Sequence, residues 1–66
     1  MDKLLTKDEV AARVRRPKAT LEFWRHKGIG PKSAKLAGRV VYRESDVEAW
    51  IAGQFSNTEV GGPDAA

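Results

Sequence analysis

The stretch from Pro17 to Gly28 can hold one short helix and nothing longer. Proline is tolerated in a helix's first turn, where its missing amide would be unpaired in any case. Glycine reaches the left-handed conformation that ends a helix, and Gly28-Ile29-Gly30-Pro31 prevents a restart. Upstream, Thr6-Lys7-Asp8-Glu9 reads as a capping box, with the Thr6 hydroxyl on the Glu9 amide and the Glu9 carboxylate on the Thr6 amide. Asp8 adds negative charge at the positive end of the helix dipole. Val10, Ala11 and Val14 follow at helical spacing. Helix 1 is therefore expected over about Lys7 to Arg13 and helix 2 over about Pro17 to Lys27. Val14-Arg15-Arg16 forms the break between them. Two short helices on such a turn make a helix-turn-helix. Leu4 or Leu5, just ahead of the cap, is placed to pack against Val10 as a staple.

Beyond Pro31 the pattern changes. Ser33-Ala34-Lys35-Leu36 reads as a short strand, Ala37-Gly38 as a turn, and the β-branched and aromatic Arg39-Val40-Val41-Tyr42 as the returning strand. Ser45-Asp46-Val47-Glu48 reads as a second capping box, and Val47, Trp50 and Ile51 lie on one face of a third helix that Gly53 ends. From Gln54 the chain is polar and rich in glycine, which predicts a disordered tail. The expected fold is mostly α with a small β-hairpin: a winged helix-turn-helix of three short helices and a two-stranded wing. Residues 1–53 form the domain and residues 54–66 the tail.

Sixty-six residues make one small domain. With no cysteine, neither a disulfide framework nor a thiolate metal site is available. No signal-peptide or membrane-spanning apolar run is present. His26 is the lone histidine, which argues against a metal site. Gly28-Ile29-Gly30 lacks the third glycine of a dinucleotide site, and no Gly-Lys-Ser/Thr occurs. Nearly all carboxylates sit near helix starts, where capping accounts for them, and no nucleophile–base pair can be drawn. The expectation is a cytoplasmic, non-enzymatic protein without cofactor, metal, small-molecule ligand or membrane partner.

Charge supplies the functional signal. Ten of the twelve Lys and Arg residues lie between Arg13 and Arg43, against one acid, Glu22. A basic stripe on turn, helix and hairpin is the electrostatic footprint of a nucleic-acid binder. At about 100° per residue, Leu21 and Trp24 share the inward face of helix 2. Arg16, Ala19, Phe23, His26 and Lys27 share the outward face, Glu22 lies on the flank, and Lys18 sits in the first turn. Arg16 and Lys27 can contact phosphates or donate to bases. Ala19 and Phe23 can touch thymine methyl groups, His26 can donate to guanine, and Glu22 can accept from cytosine N4. For Glu22 the alternative is a pair with Arg25 or His26 along the helix.

Phe23 has three readings: DNA contact, self-association, or a small cluster under the wing. Trp24 and Trp50 share apolar faces with aliphatic residues, which favours core over base stacking. Lys32, Lys35 and Arg39 make the wing cationic. Charge blunts exposed strand edges, but continuity with helix 2 favours phosphate or minor-groove contact. Arg43 is assigned to the same surface, and Arg13 and Arg15 at the turn to backbone contacts.

These residues carry a family likeness. Leu5-Thr6-Lys7-Asp8-Glu9-Val10-Ala11 resembles the opening of small winged-helix proteins related to MerR. Pro17 to Gly28, with Thr20-Leu21-x-x-Trp24, resembles that family's recognition helix and adds Thr20 to the candidate DNA-binding residues. Pro31, Lys35-Leu36, Gly38-Arg39 and Tyr42-Arg43 resemble its wing, and Ser45-Asp46-Val47-Glu48-Ala49-Trp50 its closing helix. Arg15 and Pro17 stand where the family often has Gly and Ser. Among short free-standing members, the chain is similar to phage excisionases and AlpA-like regulators. The resemblance implies an accessory factor that binds repeated sites in attachment DNA, bends it and directs an integrase toward excision. Double-stranded DNA, an integrase or recombinase, and further copies of the chain bound cooperatively are the implied partners. A small transcriptional regulator, a repressor or antitoxin-like autoregulator, is the alternative. A protein-interaction adaptor using Phe23 would leave the basic window unexplained.

Overall fold

Residues 2–58 and 60 are described by the structure, a computed structural model. In chain order they form β1 (Leu4–Thr6), α1 (Lys7–Val14), α2 (Lys18–Lys27), β2 (Ala34–Leu36), β3 (Arg39–Arg43) and α3 (Glu44–Thr58). Three helices and the β2–β3 hairpin make the winged helix-turn-helix that the sequence predicts. One strand goes beyond that expectation. β1 pairs with β3, so the sheet has three antiparallel strands in the order β1-β3-β2. Three residues are too few to display strand alternation; only the partner β3 makes Leu4–Thr6 a strand.

The cap of α1 forms as expected: the Glu9 amide donates to Thr6 Oγ1 at 3.1 Å and the Thr6 amide to Glu9 Oε1 at 2.8 Å. The helix runs to Val14 and stops on Arg15, whose φ of 57° is left-handed. That conformation costs a non-glycine residue about 1–2 kcal/mol. It also lets the Arg15 and Arg16 amides both donate to the Ala11 carbonyl. α2 begins at Lys18, one residue later than predicted. Pro17 is extended at the cap position and offers no side-chain cap, while its carbonyl accepts from the Thr20 amide at 3.0 Å. Gly28, at φ 76°, ends α2 as predicted.

α3 corrects two expectations. Ser45 does not cap it, because the helix starts at Glu44. The β1–β3 pairing brings the N-terminal segment alongside, where Asp2 accepts from the Ser45 amide and hydroxyl and the Lys3 carbonyl accepts from the Glu44 amide. Nor does Gly53 end α3, which continues to Thr58. A helical glycine costs only about 1 kcal/mol relative to alanine, and no proline follows until Pro63. Residues 54–58 are thus helical; of the expected tail, residues 59 and 61–66 lie outside the described residues.

The core takes one buried side chain from each of five elements: Leu5 of β1, Val10 of α1, Leu21 of α2, Tyr42 of β3 and Val47 of α3. Leu5 meets Val10 in this cluster, so it takes the staple role, while Leu4 faces outward and is exposed. Ala11, Val14, Trp24, Val40 and Ile51 pack around the cluster. The core reading holds for Trp24, which packs on this cluster; Trp50 sits against Trp24 at the margin, with ring centroids 5.1 Å apart. β2 contributes nothing buried, so it stands off the core as the outer strand of the wing.

Candidate nucleic-acid interface

The wing reaches beyond the sheet that supports it. β1 stops at Thr6, opposite Val41, so Arg39 and Val40 have no strand on that side. The space left beside them is a cleft lined by Thr6, Lys7, Asp8, Lys18 and the wing residues from Gly38 to Val41. It brings together the starts of α1 and α2 and the tip of the hairpin. Three cations, Lys7, Lys18 and Arg39, meet there. Asp8 holds the Lys18 ammonium at 3.0 Å, but both groups are exposed, so the pair exchanges readily with another anion.

The wing turn is built on strain. Ala37 at φ 50° and Gly38 at φ 82° give the two left-handed positions of a tight hairpin loop. This turn sets where Arg39 emerges. Register separates the wing cations: Lys35 is opposite Val40 and Arg39 opposite Leu36. Directly opposed residues share a face and successive residues alternate, so Lys35 and Arg39 project to opposite faces of the hairpin.

On α2, Ala19, Phe23, His26 and Lys27 are all exposed, Thr20 is half-buried and Leu21 is buried, in agreement with the predicted faces. Phe23 is 55% exposed, which removes the reading that places it in a cluster under the wing. Lys27 Nζ lies over the ring at 5.7 Å from its centroid, and this cation–π contact holds the ring outward. Glu22 takes a partner that the sequence did not suggest. It pairs with Lys7 at 3.1 Å, not with Arg25 or His26. Arg25 instead donates from Nε to Ser33 Oγ at 3.0 Å, tying α2 to the base of the wing. That bond engages Arg25 away from the outward face, consistent with the helical spacing.

The remaining cations do not join the wing cleft. Arg13, Arg15 and Arg16 line a groove with Trp24, Trp50 and Phe55. Arg13 is also paired with Glu44 at 2.7 Å. Lys32 and Arg43 border a depression on the outer sheet face, beside Leu4 and Leu36. Seven of the ten cations of the basic window thus divide among three places. Lys7 is the cleft cation that sequence reasoning missed. It precedes the basic window, and only its position in the first turn of α1 hinted at a role. Burial pushes the Tyr42 phenol above its ordinary pKa, with the Arg25 charge pulling the other way.

Among the described residues, no helix is long and apolar enough to cross a membrane. A family model described as a helix-turn-helix domain matches residues 4–54, which takes in every strand and most of α3. No curated protein and no solved structure matches the chain. The family match and the geometry agree on sequence-specific binding to DNA.

Proposed function

Since the chain belongs to the helix-turn-helix domain family, we propose that it is a non-enzymatic accessory factor of the excisionase type, which binds repeated sites in attachment DNA, bends it and turns an integrase toward excision. The observation that carries the DNA-binding part is the wing cleft. It places Lys18 at the start of α2 and Arg39 at the hairpin tip on one cationic notch, beside the exposed side chains of Ala19, Phe23, His26 and Lys27. In this reading α2 lies in the major groove and the wing follows the backbone into the next groove. A single module of this size covers on the order of 600–1,000 Å² of protein surface on DNA. One short helix reads few base pairs, so useful specificity calls for several copies on repeated sites. The work is done where the DNA is, in the bacterial cytoplasm.

The excision role rests on the likeness to short MerR-related excisionases. It is tested by footprinting the protein on its own attachment region together with a circular-permutation bend assay. Protection of repeated sites with a permutation-dependent mobility shift is expected. Protection confined to a promoter, without bending, would replace excision by a regulatory role and leave DNA binding intact.

A further inference from the structure

We propose that the groove between the α1–α2 turn and the C-terminal half of α3 docks a short segment of a partner protein that carries aromatic or aliphatic anchors beside carboxylates. Val14 and Trp24 contribute one side of the groove, and Trp50, Ile51 and Phe55 the other. The Trp24 and Trp50 rings meet at 5.1 Å with planes 44° apart, so one side touches the other through aromatic surface. Phe55 is 61% exposed on the helix that borders the groove. Phenylalanine at that exposure has no role in the core, and a partner covering it gains about 25 cal/mol for each Å² of apolar surface removed from water.

Charge states what the partner must carry. Arg13, Arg15 and Arg16 are at the groove, and among the described residues no carboxylate lines it. Glu44 occupies Arg13. Arg15 and Arg16 take part in no salt bridge among the described residues. Aromatic and arginine side chains side by side are the usual composition of binding hot spots, and an amphipathic segment laid in an apolar groove is a recurring mode of peptide recognition. A phosphodiester backbone would use the arginines but offer nothing to Trp50, Ile51 or Phe55. Among the described residues the groove shares no lining residue with the wing cleft, which allows the partner and DNA to be held together.

The test is selection of a random linear-peptide library on the full immobilised chain, followed by titration of a fluorescein-labelled copy of the best peptide. The expected peptides are rich in Asp or Glu together with Phe, Trp or Leu. Phe55→Asp is expected to weaken their binding about tenfold or more while leaving DNA affinity unchanged. Thermal unfolding verifies that the variant folds. If it does not, the milder Phe55→Ser and indole NMR shifts of Trp24 and Trp50 in the wild-type chain give the same readout. Peptides that lack acids, or that bind equally to the Phe55 variants, overturn the proposal. So do three other results: loss of affinity for all DNA sequences in Phe55→Asp, a Phe55-dependent dimer in sedimentation, and peptide binding that appears only after residues 59–66 are removed. These would assign the groove to nucleic acid, to a second copy and to the chain's own tail, respectively.

Discussion

Lys7 Nζ lies 3.1 Å from Glu22 Oε1, an ion pair that joins the first turn of α1 to the middle of α2. The two residues are 15 apart in sequence, so neither helix predicts the pair by itself. Its function is electrostatic. Glu22 is the one carboxylate between Arg13 and Arg43, and it occupies a cation of the wing cleft.

Glu22→Gln is therefore expected to strengthen DNA binding. The substitution frees the Lys7 ammonium for a phosphate and removes a repelling charge. Affinity is expected to rise on specific and random duplexes alike, with the log–log salt slope steepening by about 0.9 for the one added phosphate contact. Fluorescence anisotropy at stepped salt measures both. Weakened binding confined to one sequence would instead identify Glu22 as a reader of cytosine. Stability should change by less than about 1 kcal/mol, because the pair is exposed.

Lys18 and Arg39 come from different elements and line the same cleft. If each neutralises one phosphate, Lys18→Gln and Arg39→Gln each flatten the salt slope by about 0.9, from a wild-type value of about −4 to −5 for some five contacts. Their effect is expected on every sequence, since phosphate contacts carry no base information. A variant whose slope matches wild type takes that residue out of the interface.

The start of α1 and the stop of α2 were legible because short-range chemistry decides them. Thr6 and Glu9 make the α1 cap from residues three apart, and Gly28 ends α2 by its own backbone freedom. What escaped the sequence depends on partners distant along the chain. β1 exists because Leu4–Thr6 lies against β3. The cap of α3 comes from Asp2, which is 43 residues away from Ser45, so local pattern credited Ser45 instead. In the interface, helical spacing correctly placed Leu21 inward and Phe23 and His26 outward. The same spacing could not show that Arg13, Arg15 and Arg16 border a groove separate from the wing cleft, since only the packing of α3 creates that groove.

Gly30 offers a test of packing around Trp24. Its φ is +82°, and an added Cβ would stand 3.0 Å from Trp24 Cε3. Gly28 has a similar φ of +76°, but a Cβ there meets nothing within 4 Å. Gly28→Ala should cost about 1–2 kcal/mol for the left-handed backbone alone. Gly30→Ala should cost more, because the indole must also move. Urea unfolding of the two variants isolates the contact, and equal losses would mean that Trp24 yields without penalty.

The pH dependence of stability follows from the carboxylates that cap the helices. Asp2 is held below its ordinary pKa by the hydrogen bonds from the Ser45 hydroxyl and amide, and Glu9 by the bond from the Thr6 amide. A carboxylate whose pKa is lower in the folded state stabilises the fold above its unfolded value and loses that contribution as pH falls through the folded one. Stability should therefore be level near neutrality and decline below about pH 4, where unperturbed carboxylates protonate. Asp2→Ala and Glu9→Ala should each lower the melting temperature at neutral pH, and the gap to wild type should close in acid. Tyr42 acts at the other limit. Burial raises its pKa, so its contribution is complete below about pH 10 and fades as pH rises through the folded value. Thermal melts across the acid range decide the matter for Asp2 and Glu9: a gap that stays constant down to about pH 2 would mean that their charge contributes nothing beyond packing.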